Sequence, residues 1–177
     1  MSAVHVRPAR PDERARIAEL TLDVYGEYAH TMHPEAWGAL EGAVHASLAS
    51  EEGVTRLVAE LDGSIVGSAA LYDPRVEAYG SLASGAPWPE VRLVAVSPAA
   101  RRHGVARALV RECARRARHA GARQLGLHTS RSMPAAIRLY EEMGFVRDPA
   151  RDFHPPGAEL VEGYRLDLSY LEPTTEH

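Results

Sequence analysis

EVRLVAVSPAARRHGVARALV, residues 90–110, passes from a mainly apolar run through Ser97-Pro98 to Arg101, Arg102, His103 and Gly104, and then becomes helix-forming. Residues 90–97 predict a buried strand. From Gly104 to about Gly121 the residues Ala106, Leu109, Val110, Cys113, Ala117 and Ala120 recur at steps of three and four, the stripe of a helix, with Arg107, Arg111, Arg115 and Arg118 on its other face. The first amides of such a helix have no partner within it and carry about half a positive charge. A chain that adds three basic side chains to this start, with a glycine that lets a ligand approach the backbone, predicts a bound anion, and a pyrophosphate fits. The residues alone also allow a plainer reading, in which Gly104 only eases entry into the helix. Other nucleotide motifs are absent: there is neither a Gly-Lys-Ser/Thr loop nor a three-glycine dinucleotide loop.

Working outward, residues 3–7 alternate and stop at Pro8 and Pro11, which predicts a first strand. Asp12 is the expected cap of a helix carrying Ile17, Leu20, Leu22 and Val24 and ending near Gly26. A second helix is expected after Pro34, through Trp37, Leu40, Val44 and Leu48. Asp62-Gly63 between two β-rich runs predicts a hairpin. Residues 74–89 form a long Gly/Ala/Ser/Pro-rich loop, and a loop of that kind inside a compact domain is usually functional. On the C-terminal side residues 123–129 predict a strand, Pro134 opens a shorter helix closing at Gly144, and segments from Phe145 and from Tyr164 supply two last strands. The organisation expected is one α/β (α+β) domain over residues 1–171 and a short tail, 172–177.

The 177 residues suffice for a full core without disulfides or a structural metal. A net charge of −4 argues against a nucleic-acid or membrane-surface binder. All 20 basic residues are Arg, and Lys and Asn are absent, which excludes a lysine Schiff base, a P-loop lysine and Asn-linked glycosylation. Cys113 is the single cysteine, so neither an intramolecular disulfide nor a cysteine-rich zinc site can form. The N-terminus meets charge before any apolar run and no stretch approaches the ~18 apolar residues of a membrane span, so a cytoplasmic protein is expected.

Taken together, EVRLVAVSPAARRHGVARALV and the later AAIRLYEEMGF (135–145) resemble the GNAT superfamily of N-acetyltransferases, whose acetyl-CoA motif is Arg/Gln-x-x-Gly-x-Gly/Ala after a strand. Arg101, Gly104 and Ala106 match its three positions, and the hairpin and the N-terminal VRPARPDERARIAEL are also similar to that family. The resemblance implies a mixed, mostly antiparallel sheet of about seven strands, splayed between the fourth and fifth, with helices on both faces. It also implies acetyl-CoA as co-substrate. The amides of Arg102, His103, Gly104, Val105, Ala106 and Arg107 would hold the pyrophosphate, helped by the side chains of Arg101, Arg102 and Arg107. Backbone groups of Val94, Ala95 and Val96 would pair with the pantetheine arm like an added strand. One departure is Met133, which stands where the family often has Asn, so a cofactor hydrogen bond is lost or passes to a neighbour such as Ser132.

Acetyl transfer to an amine needs a neutral amine, a polarised thioester carbonyl and a proton for the leaving thiolate. Cys113 falls in the apolar stripe and is not expected to be a nucleophile. By resemblance Tyr140 is the general acid, since a phenol of pKa about 10 is protonated at neutral pH. Glu90, where some relatives carry a general base, is the candidate proton acceptor, directly or through water; its plainer reading is a strand-end carboxylate. Backbone N–H groups near Val96 would meet the carbonyl oxygen. Tyr28, His33, Trp37 and Tyr79 are the candidate acceptor-binding residues, aromatic and polar groups that suit a cationic amine. HTMH (30–33) is not expected to bind a metal. The expected acceptor is a small-molecule amine; a non-catalytic acyl-CoA-binding module and a protein N-terminal or lysine acetyltransferase are the alternatives. Relatives often form homodimers, and the C-terminal strands are where one would form here.

Overall fold

The structure is a computed structural model that describes residues 2–76 and 85–171. Strand β1 (His5–Pro8) leads through a 3-10 turn, Pro11–Glu13, into helix α1 (Arg14–Gly26). Asp12 does not cap α1. Glu13 orders the turn instead, accepting from the Arg10 N–H at 2.8 Å and from the Arg7 guanidinium at 3.0 and 2.7 Å. Arg7 also reaches Glu60 at 2.7 Å, joining the first strand to the second. The Arg7 bonds, then that of Arg10, hold the Glu13 carboxyl down from 4.5 to about 2. A carboxyl depressed on folding stabilises fully above its unfolded value and loses that contribution as pH falls through the folded one. Urea melts at stepped pH should therefore show wild type losing stability between about pH 4.5 and 2 more steeply than Glu13→Gln.

After a 3-10 turn, Glu27–His30, helix α2 (Pro34–Ala49) precedes β2 (Val54–Leu61), β3 (Ser64–Tyr72) and β4 (Glu90–Val96). Asp62 and Gly63, at φ 52° and 79°, make the two-residue turn between β2 and β3. Helix α3 (Val105–His119), β5 (Gln124–Thr129), α4 (Pro134–Glu142), β6 (Val146–Arg147) and β7 (Glu162–Asp167) complete the chain. Among the described residues the sheet has seven strands, in the order β1-β2-β3-β4-β5-β7-β6. Every pairing is antiparallel except β4 with β5.

Strand alternation sends Leu57, Ala59, Ala69 and Leu71 to the face covered by α3 and α4, where Leu109, Val110 and Cys113 are wholly buried. Burying a side chain such as Leu109 contributes about 1.5–3 kcal/mol. Val58, Ala70 and Tyr72 take the other face, toward α1 and α2, and the Tyr72 hydroxyl donates to the Ser47 carbonyl at 3.2 Å. The helices therefore lie on both sides of the sheet.

Two local features set the site. In β4 the register against β3 shifts by one residue, so that Leu93 and Val94 oppose Ala69, and Leu93 has φ 56°. Such a bulge bends and twists its strand. Beyond it β4 parts from β5: the two pair only at Glu90–Gly126 and Val91–Leu127. The second feature is Gly67 in β3, where a Cβ would lie 2.7 Å from Val105 and 3.2 Å from Leu109. Its absence lets the first turn of α3 press against the sheet at the end of β4.

Candidate functional site

Between β4 and α3 the chain makes a short 3-10 turn, Pro98–Ala100, and then a loop in which Arg102 and Gly104 are both left-handed, at φ 67° and 75°. Successive residues of such a loop direct their N–H groups into one concavity, a nest for anions, at the positive end of α3. No side chain caps α3, so its first amides have no side-chain partner, and a Cβ built on Gly104 meets nothing within 4 Å. Val105 is 2% exposed and anchors the turn in the core.

The basic side chains of this loop differ in their ties. Arg101 donates to the Glu27 carboxylate at 2.8 and 3.0 Å, and Arg107 to Glu142 at 2.7 Å. His103 Nδ1 lies 3.2 and 2.9 Å from the carbonyls of Ala100 and Arg101, which makes Nδ1 the protonated nitrogen. Arg102 is exposed and makes no ion pair with a described residue.

The Ser97 N–H donates to Val66 of β3 at 2.8 Å. By antiparallel alternation, the N–H and carbonyl of Val96 then point away from β3, to the edge that β5 has left. Ala95 is the opposite case, directed at Ser68. Residues 94–96 thus offer a strand edge to an extended ligand, beside the amide nest. Nest, uncapped helix and unpaired edge are features that could hold acetyl-CoA, an anion such as its pyrophosphate at residues 102–107 and an extended arm such as its pantetheine along β4. That thioester supplies an activated acetyl group.

Where β4 and β5 part, a cavity of about 170 Å³ opens between α1 and α2 on one side and α4 with the segment before β7 on the other. Tyr140 is on its wall, 7% exposed, packed on Phe145 at a ring distance of 5.7 Å. Burial pushes its phenol well above the usual range, so it stays protonated at neutral and moderately alkaline pH. Its hydroxyl makes no hydrogen bond to a described residue. Cys113, fully buried, has its thiol pushed up to about 12 by the same cause and is held as a core residue.

Glu90 is placed differently from a free base. It is 4% exposed, its carboxylate accepts from Arg92 at 2.8 and 3.3 Å, and it stands behind the cavity wall rather than on it. Arg92 also donates to the Val76 carbonyl at 3.0 Å and lies over the Tyr72 ring at 4.0 Å. His128 is the wall residue in front of Glu90, with Nδ1 3.6 Å from its carboxylate and Nε2 2.8 Å from the Arg151 carbonyl. At Met133 no side-chain cap serves α4, and the neighbouring Ser132 hydroxyl is engaged with that of Ser130 at 2.7 Å.

Of the acceptor candidates, Tyr28 lines the cavity. His33 is exposed and caps α2, its Nδ1 accepting from the Glu35 N–H at 3.3 Å; neither it nor the half-buried Trp37 lines the cavity. Tyr79 lies outside the described residues. Sequence reasoning missed Arg92, Thr129, Phe153 and Val161, which come from separate elements and share no local pattern. Among the described residues no three His, Cys, Asp or Glu side chains group as a metal site, and no helix is long and apolar enough to cross a membrane.

The sequence profile of the acetyltransferase (GNAT) family matches residues 17–145. No curated protein matches the chain significantly. Among solved structures, a GNAT family acetyltransferase from Brucella melitensis in complex with acetyl-CoA is 26% identical, with 81% of this chain and 83% of that chain covered and a TM-score of 0.55. An acetyltransferase structure from Salmonella typhimurium with its cofactor acetyl-CoA is 23% identical over 97% of each chain, at a TM-score of 0.62. A chimeric spermidine N-acetyltransferase from Vibrio cholerae is 19% identical, covering 94% of this chain and 96% of its own, at 0.61.

Proposed function

Since the chain belongs to the GNAT family of acetyltransferases and is an acetyl-CoA-dependent N-acetyltransferase, we propose that it transfers the acetyl group directly to the primary amine of a small molecule, within a ternary complex. The observation that carries this reading is the cavity at the parting of β4 and β5, which brings Tyr140 and the free edge of β4 to one place. The name of the spermidine N-acetyltransferase neighbour supports a small amine as the acceptor class.

In this reading the amides of residues 102–107 fix the pyrophosphate, and the exposed Arg102 adds charge. Residues 94–96 align the pantetheine, and the outward N–H of Val96 donates to the thioester carbonyl oxygen. Tyr140, kept protonated by burial, donates to the departing sulfur. The amine's proton leaves to water in the cavity, and water restores the proton that Tyr140 gives up; Glu90, held by Arg92 behind His128, is reached only through that water. No group on the protein becomes acetylated, in keeping with the burial of Cys113. Initial rates of thiol release, measured with both substrates varied, should give intersecting double-reciprocal lines. Parallel lines would mean an acetylated enzyme and would rule out direct transfer.

A further inference from the structure

Resting on that reading, we infer that the acceptor is a primary monoamine on a compact apolar body, an arylalkyl or branched alkyl amine, and that polyamines, amino sugars and amino acids are poor substrates. Helix α2 turns Ala36, Ala39, Leu40, Ala43 and Val44 toward the cavity. This spacing is a full apolar helix face, and its members line a cleft instead of closing on the sheet. Three of the five are alanines, which keep the space open. Opposite them stand Tyr25 and Tyr28, whose rings are 6.1 Å apart and tilted by 58°. Phe153 and Val161 close the C-terminal side. A closed cavity of about 150 Å³ with aliphatic and aromatic walls holds one benzene ring; this cleft measures about 170 Å³, apolar on its α2 side and polar on its β5 side at His128, Thr129 and Ser130.

The charges of the wall point the same way. Among the described lining residues the part from α1 and α2 carries none. Arg92 is committed to Glu90 at 2.8 Å, so it is a poor receiver for a substrate carboxylate. Glu159 accepts from the Ser132 N–H at 3.3 Å, on the segment leading into α4. That puts a carboxylate on the α4 side of the wall, while the α1–α2 side offers none among the described residues to a second ammonium. Against the α2 side, sugar hydroxyls would meet methyl groups and lose their water without replacement.

The test is kcat/KM for 2-phenylethylamine, spermidine, glucosamine and phenylalanine at saturating acetyl-CoA. The expected result is a preference for 2-phenylethylamine of about a hundredfold or more over each of the others, from an unpaired buried charge in spermidine and phenylalanine and from unpaired hydroxyls in glucosamine. Spermidine or phenylalanine turned over as well as 2-phenylethylamine would overturn the inference. So would failure to acetylate 2-phenylethylamine by protein that binds acetyl-CoA; absence of acetyl-CoA binding would instead remove the transferase reading itself. Ala36→Glu adds a carboxylate in the first turn of α2, where a negative charge favours the helix. It should raise the spermidine to 2-phenylethylamine ratio about tenfold at unchanged acetyl-CoA affinity; an unmoved ratio in the folded variant would count against the assigned wall.

Discussion

Replacement of Tyr140 by Phe is expected to lower kcat by about 10²- to 10⁴-fold, the range for loss of a positioned acid, with the acetyl-CoA Kd unchanged. The split follows from the geometry. The ring is buried and packed on Phe145, contacts that Phe keeps, while the hydroxyl is bonded to no described residue and the residue lines the cavity. Stability should accordingly change by less than about 1 kcal/mol. The raised phenol adds a pH criterion: wild-type kcat should show no alkaline limb from this residue below about pH 10. A variant with normal kcat would return Tyr140 to the core and leave the leaving thiolate to solvent.

Gly104→Trp should abolish acetyl-CoA binding, raising Kd by a hundredfold or more on titration, because the indole fills the open space beside the first amides of α3. The backbone penalty can be separated from the obstruction. At φ 75° any L residue is strained by about 1–2 kcal/mol, which Gly104→Ala also suffers, yet its methyl meets no atom within 4 Å. Gly104→Ala should therefore lower the urea midpoint while weakening binding only modestly. Equal loss of binding in both would assign the effect to loop strain instead of to an occupied nest.

The elements of this fold were legible because they rest on local rules. Asp62-Gly63 allowed one kind of turn, Gly121 and Gly144 ended their helices, and the motif around Gly104 stood between a strand and a helix as expected. The cap of α1 was misread because Glu13 takes its partners from Arg7 and Arg10, and the Arg7 bonds depend on the sheet being formed. The surroundings of Glu90 were hidden for a similar reason. Arg92 is two residues away on the same strand and therefore on the same face, but nothing local says that both are buried, or that β5 sets His128 before them. On α2 the sequence marked Trp37, Leu40, Val44 and Leu48; that Ala36, Ala39 and Ala43 join Leu40 and Val44 beside a cavity follows only from the divergence of β4 and β5.

The most direct test of acetyl-CoA use at this cleft is the melting temperature of wild-type protein with and without saturating acetyl-CoA. At a ligand concentration near 100 Kd the stabilisation is about 2.7 kcal/mol, which for a domain of this size raises Tm by about 5–10 °C. The account predicts that rise, and its absence in folded Gly104→Trp. A wild-type protein whose Tm does not move would contradict it.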